Sequence, residues 1–386
     1  MYTVSYLQKY YMPQNVRNKI KSLAKEAGFS GANILSVKDF KKYNQLPSNY
    51  NKYLEKKMYG DMDYLKKKLS FFYTPEKILP DVKSVLIVTM NYLTNSLIRE
   101  NWQEKSLAHL NKPEKSYISL YARGRDYHKV LKNRLKALAR SISEVIGDFG
   151  YRACVDSAPL FEIELAQLAG LGWRGKNTLL LNKESGSMFF LGALLMDCKL
   201  VSMADKKKNH CGSCTACMDV CPTDAFVGPY QLNASRCVSY LTIEHKGIIP
   251  EDLRPLIGNR VYGCDDCQLV CPWNKFAKVS QVPDFDVRNG LSNSTLLELF
   301  VWSEKDFYER HRGSSILRIG YPRWLRNLAV ALGNSSQYFN QVENNGAGRA
   351  LEKRAVMLSL SYKVQKGCDL VAPHALWALQ RLESKD

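Results

Sequence analysis

With 386 residues, 45% of them hydrophobic, the chain is long enough for two or three domains that each bury a core. Its longest apolar run, Met188 to Met196, is strand-sized, which excludes a membrane-spanning helix of about 18 or more apolar residues. The opening Met-Tyr-Thr-Val-Ser-Tyr-Leu-Gln-Lys has no apolar leader, so the expectation is a soluble, cytoplasmic protein that does not engage a membrane.

The net charge of +18 is unevenly spread, because residues 1–210 hold 35 Lys+Arg against 19 Asp+Glu while residues 211–280 hold 6 against 7. A basic flank favours a polyanionic partner such as RNA or DNA. The lysines of Lys52–Lys68, interleaved with tyrosines, suit a phosphate-contacting surface and equally a plain amphipathic helix.

In chain order, residues 14–28 place Val16, Ile20, Leu23, Ala24 and Ala27 on one face and stop at Gly28, which predicts an amphipathic helix. Ser84–Met90 is a continuous apolar run and reads as a buried strand. Tyr127–Ile146 carries Val130, Leu131, Leu135, Leu138, Ile142 and Val145 at helical spacing. Strands are expected at 151–155, 178–181 and 188–195, with a helix over 160–169. This alternation predicts an α/β domain over residues 1–205. A cysteine-rich unit follows over 206–280. Beyond it, 281–386 turns helical, with amphipathic segments at 324–332, 348–360 and 370–382 that suggest a HEAT-like α-solenoid or a simple helical cap.

Eight of the 11 cysteines lie between Cys211 and Cys271. Cys211, Cys214, Cys217 and Cys221-Pro222 form a C-x2-C-x2-C-x3-C-P run, and Cys237 precedes Cys264, Cys267 and Cys271-Pro272. In such runs three thiolates at x2 spacing hold one [4Fe–4S] cube and the fourth, before proline, ligates the neighbouring cube. The first cluster is therefore expected on Cys211, Cys214, Cys217 and Cys271, and the second on Cys221, Cys237, Cys264 and Cys267. Zinc sites need neither the third x2 cysteine nor the proline. Cys154, Cys198 and Cys368 stand alone and read as small buried thiols.

Two further stretches could carry chemistry. Asp156-Ser-Ala-Pro159 follows a strand, where a carboxylate would face an α/β ligand crevice as a proton donor or would cap the next helix. Tyr121-Ala-Arg-Gly-Arg-Asp126-Tyr-His128 reads as a polar loop with Asp126 as a cap, and His128 and His210 as surface or capping residues. No Walker A or G-x-G-x-x-G run is present.

Asp156-Ser-Ala-Pro, Gly172-Trp-Arg-Gly-Lys-Asn177, the paired cluster motif, Gly258-Asn-Arg-Val-Tyr-Gly263 and Gly320-Tyr-Pro-Arg-Trp-Leu-Arg-Asn327 together resemble the epoxyqueuosine reductase family. That resemblance implies a monomeric, cobalamin- and iron–sulfur-dependent oxidoreductase, related to reductive dehalogenases. It would reduce the epoxide of epoxyqueuosine at the tRNA wobble position, with electrons from an external low-potential donor. It implies a cobalamin-binding first domain with Asp156 as proton donor, and corrin contacts at Asn177, Leu180, Leu191, Ser239 and Asp265. It also implies tRNA contacts at Glu244, Lys246 and the helical C-terminal region. An aspartate near its ordinary pKa of about 4 is a poor acid at neutral pH, so this role calls for Asp156 to be buried and raised. The alternative is a corrinoid and iron–sulfur reductase of a small molecule, for which the basic surface and helical array would be superfluous.

Overall fold

The computed structural model describes residues 14–41, 46–96, 101–203, 207–340 and 346–384. The opening nonapeptide lies outside them. In chain order its main elements are α1 (Gln14–Glu26), β1 (Gly31–Ser36), β2 (Ser84–Asn91), β3 (Tyr117–Ile118), α2 (Tyr127–Ile146), β4 (Tyr151–Cys154), α3 (Glu162–Leu168), β5 (Trp173–Arg174), β6 (Leu180–Leu181) and β7 (Phe189–Met196). Then follow β8 (Phe226–Gly228), β9 (Gln231–Leu232), α4 (Val238–Ile243), β10 (Arg260–Tyr262), α5 (Gly320–Asn334), α6 (Gly346–Lys366) and α7 (Ala372–Glu383).

The central sheet runs β1-β2-β7-β4, and every neighbouring pair is antiparallel. The apolar run of β2 is explained by cover on both faces. Leu86, Val88 and Met90 pack against Ile20 and Ala24 of α1 and Leu131, Leu135, Leu138 and Ile142 of α2. Val85 and Ile87 pack on the other side with Leu165 and Ala166 of α3. The layers are those expected of an α/β protein, but the crevice of a parallel sheet does not exist here. Truncating a residue such as Leu135, fully enclosed between helix and sheet, costs about 2–5 kcal/mol.

Gly28 ends α1 with φ +88°, letting the Phe29 amide return to the Ala24 carbonyl at 3.0 Å. Strand β1 was not foreseen: in Gly-Ala-Asn-Ile-Leu-Ser the apolar residues Ile34 and Leu35 are adjacent and go to opposite faces. The short hairpin β5–β6 takes only the end of the strand expected over 178–181.

The three C-terminal segments are helices, and α7 packs against both α5 and α6. Their core is not separate. It includes Ile118 of β3, Ile243 of α4, and Val261 and Tyr262 of β10 together with Leu325, Leu328, Val356 and Ala375. Of the three lone cysteines, Cys154 is buried and Cys198 half-buried, but Cys368 is exposed, because it lies in the turn between α6 and α7.

Candidate active site and cysteine module

Asp156 sits just beyond β4 at φ +44°, a left-handed conformation that costs a non-glycine residue about 1 kcal/mol or more and is typical of functional turns. Its side chain is 52% exposed, so the carboxylate is open to solvent. The ladder that pairs Cys154 with Ala193 runs on toward Leu191, bringing Leu191 and Asp156 to the same end of the sheet.

Two residues from the first turn of α2 hold this carboxylate. Tyr127 donates its hydroxyl to Asp156 Oδ2 at 2.9 Å, and His128 Nε2 lies 2.9 Å from the same oxygen. Asp126 caps α2, accepting the His128 amide at 3.1 Å, and takes His128 Nδ1 at 2.7 Å. The Tyr127 ring stacks on Phe190 of β7 with centroids 4.2 Å apart, which fixes the hydroxyl. On the other side the Asp156 amide donates to Glu162 Oε1 of α3 at 2.8 Å.

These contacts set the proton positions. Burial works against a charged His128, but its bonds to Asp126 and Asp156 prevail and raise it to about 9. Burial also pushes Asp156 upward, yet the bond and charge of His128, with the Tyr127 hydroxyl, hold it below the usual carboxylate range. The raised Asp156 that the donor role called for is therefore not found. Burial and then the charge of Asp156 lift Glu162 to about 8 instead. Near neutral pH the protons rest on His128 and Glu162, flanking an ionised Asp156.

Sequence reasoning missed Tyr127, His128 and Glu162 as a set. The cue was Asp126 itself: a cap at the start of α2 places the next two side chains at the helix mouth. With both ring nitrogens engaged, His128 has neither a surface role nor a free nitrogen for a metal.

The cysteines gather in two groups. Cys211, Cys214, Cys217 and Cys271 line one cavity of about 250 Å³ with Lys176, Asn177, His210 and Trp273. Cys237 feels Cys221, while Cys264 and Cys267 both feel Cys237. Cys267 also feels Cys217, so the groups adjoin. A pocket walled by four sulfurs fits a cube of iron and sulfide rather than a single ion.

The flanking motifs build this module. A Cβ on Gly172 would collide with the Leu181 carbonyl, so the β5–β6 hairpin needs glycine there. Lys176 then reaches the Gly212 and Cys214 carbonyls at 2.7 and 2.9 Å, and buried Asn177 approaches the Cys267 carbonyl at 3.4 Å. Leu180 is enclosed with Leu191 in the α3-side core. Asp265 is 1% exposed. Its carboxylate accepts from the Tyr117 hydroxyl at 2.9 Å, the Leu120 amide at 2.7 Å and the Ser119 hydroxyl, so it is spent on tying the cysteine loop to β3. Ser239 is half-buried on α4.

The C-terminal motif grips the same module. Arg326 donates to the Leu241, His245 and Gly247 carbonyls at 2.7–2.9 Å. Asn327 donates to Thr242 and Val261 at 2.8 and 2.9 Å. Glu244 is held by Arg318 at 2.6 Å, while Lys246 is exposed. Lys52, Lys56, Lys57, Lys66, Lys67 and Lys68 are all exposed as well.

Residues 210–274 match the 4Fe-4S double cluster binding domain, and residues 73–157 match the family described as epoxyqueuosine reductase QueG, DUF1730. The epoxyqueuosine reductase of Burkholderia pseudomallei (strain K96243) is 45% identical over 94% of this chain and 91% of its own length. The chain belongs to the epoxyqueuosine reductase family. The Escherichia coli (strain K12) member is 46% identical over 82% of this chain and 80% of its own. The solved Streptococcus thermophilus epoxyqueuosine reductase superposes with a TM-score of 0.79 at 26% identity, covering 96% of this chain and 90% of that one. An epoxyqueuosine reductase solved with a tRNA-Tyr epoxyqueuosine-modified stem loop gives 0.74 at 24% identity over 96% of this chain and 99% of that one, a likeness of fold. Among the described residues no helix is long and apolar enough to cross a membrane.

Proposed function

We propose that this chain reduces the epoxide of epoxyqueuosine in tRNA to give queuosine, with Asp156 as the residue that passes the proton to the departing oxygen. The reaction consumes two electrons and two protons and releases the epoxide oxygen as water. The observation that carries the reading is Asp156 itself, half-exposed beyond β4 with its Oδ2 held by Tyr127 and His128, in a member of this family.

Two [4Fe–4S] clusters, the first on Cys211, Cys214, Cys217 and Cys271 and the second on Cys221, Cys237, Cys264 and Cys267, together with a cobalamin beside Asp156 would supply single electrons and a strongly reducing cobalt centre. For the corrin, Leu191 and Asp156 offer the sheet end, Asn177 and Leu180 the hairpin, and Ser239 the cluster side; Asp265 would contribute backbone only. His128 gives such a cobalt no ligand, since Asp126 and Asp156 occupy both its nitrogens.

The residues then divide the work. His128 moves a proton from Nε2 to Asp156 Oδ2, Asp156 delivers it to the substrate oxygen, and Glu162, which accepts the Asp156 amide, holds a second proton beside the site. Tyr127 orients the carboxylate. Exposed Lys246, the Lys52–Lys68 lysines and the HEAT-like helical region would contact tRNA, with Glu244 positioning Arg318 there. The proposed units 1–205, 206–280 and 281–386 would work as one body in a monomeric enzyme, consistent with the core that β3, α4, β10 and the C-terminal helices share. Mass analysis of tRNA from a deletion strain tests the reading. Epoxyqueuosine should accumulate, and this chain, but not Asp156→Ala, should clear it; clearance by Asp156→Ala would overturn the assignment.

A further inference from the structure

A second cavity, of about 920 Å³, lies away from Asp156, where the end of α1 and the start of β1 meet the loops around Trp173, Lys183, His210 and Lys278. Its size falls within the roughly 300–1,000 Å³ of small-molecule and cofactor sites. Lys21, Lys25, Lys183, Lys207, Lys208 and Lys278 line it, and Glu184 is the one carboxylate among its described lining residues. All six lysines are exposed, and Lys21, Lys25, Lys183, Lys208 and Lys278 have no ion-pair partner among the described residues. Uncompensated ammonium groups around a concave wall form a site for a phosphate-bearing anion.

The position of this cavity gives it a purpose. His210 lines both it and the cavity of Cys211, Cys214, Cys217 and Cys271. Between them stands one aromatic layer: Trp173 lies edge-on to His210 at 5.0 Å and to Trp273 at 5.1 Å, and packs with Cys271 and Cys211. The second cysteine group faces the other way. Cys237 packs with Met62 and Tyr240, the Tyr64 hydroxyl reaches Met62 Sδ at 3.5 Å, and Tyr64 lies within electrostatic reach of Asp156. Electrons entering at the cavity would meet the Cys211 group first and the Cys237 group last, nearest the substrate.

We infer that the lysine-lined cavity is the entry port for electrons and takes a small phosphorylated redox cofactor, a reduced flavin mononucleotide. This rests on the two cysteine groups relaying electrons, as proposed above. The balance closes: the reduced flavin gives up two electrons and two protons, and the epoxide takes up two of each and loses its oxygen as water.

The test uses anaerobically purified holoenzyme. FMN should quench its tryptophan fluorescence on binding, riboflavin should bind about tenfold more weakly for want of the phosphate, and inorganic phosphate should compete. In the triple variant Lys25→Glu, Lys183→Glu, Lys278→Glu, FMN affinity and the rate of cluster bleaching by reduced FMN should each fall at least about tenfold. Bleaching by reduced methyl viologen, a cation, and viologen-driven turnover should persist, which also shows that the variant is folded. Equal binding of FMN and riboflavin, or unchanged FMN bleaching in the variant, overturns the proposal. So does a variant that loses affinity for unmodified tRNA while keeping FMN bleaching, since the lysines would then belong to the RNA surface. Absence of viologen-driven turnover in the unaltered protein would count against the relay reading instead.

Discussion

The two edges of the central sheet handle charge in opposite ways. Beyond β4, each ionisable group has a partner: Asp126 and Asp156 share His128, and the Asp156 amide is bonded to Glu162. Beside β1, about three strand spacings or ~14 Å across, six lysines surround a cavity with one carboxylate among its described lining residues. Paired charges with shifted pKa values are suited to moving a proton inside the protein. Unpaired charges of one sign are suited to capturing something from outside. The cysteine module packs on Trp173 beside the lysine cavity, while Cys237 on its other side packs with Met62 and Tyr240.

The comparison can be broken most severely at the module. Cys237→Ser should lower iron from about eight to about four per chain and abolish turnover, whereas Cys154→Ser, outside the motif, should leave both intact; iron analysis and tRNA assays decide. Next in size, Asp156→Ala should cut turnover by at least about a hundredfold with an unchanged iron–sulfur spectrum.

His128→Gln should follow, at roughly ten- to a hundredfold, and it carries a pH signature. In the unaltered protein turnover should decline as pH rises through the values of about 8 for Glu162 and about 9 for His128, where each proton is lost. The variant should lack the upper limb. The raised His128 value has a counterpart in stability: its contribution is complete below the ordinary 6.5 and disappears as pH rises through about 9. Chemical denaturation of both proteins across that window would measure it. The smallest effect is expected at Asn327→Ala, which strands the Thr242 and Val261 carbonyls. It should cost about 1–3 kcal/mol, seen as a lower melting temperature with chemistry nearly intact. A loss of chemistry as large as that of His128→Gln would mean that Asn327 acts in the reaction itself.

Much of this was legible locally. The Tyr127–Ile146 helix, the Ser84 strand and the three C-terminal helices follow from apolar periodicity, because each buries a face that its own spacing defines. The cysteine grouping was equally local, since x2 spacing and the following proline dictate which sulfurs can wrap one cube. Strand β1 escaped because Ile34 and Leu35 serve both faces of a sheet covered on both sides, which removes the alternation.

The site divides along the same line. The sequence by itself determined that two clusters sit in a near-neutral module between basic flanks, and that Asp156 follows a strand. Only the tertiary structure decided what Asp156 is: an antiparallel sheet and the capped start of α2 bring Tyr127, His128 and Glu162 around it from 29, 28 and 6 residues away. A proton's resting place depends on the sum of burial and neighbouring charge at one point in space, and no spacing rule along the chain contains that sum.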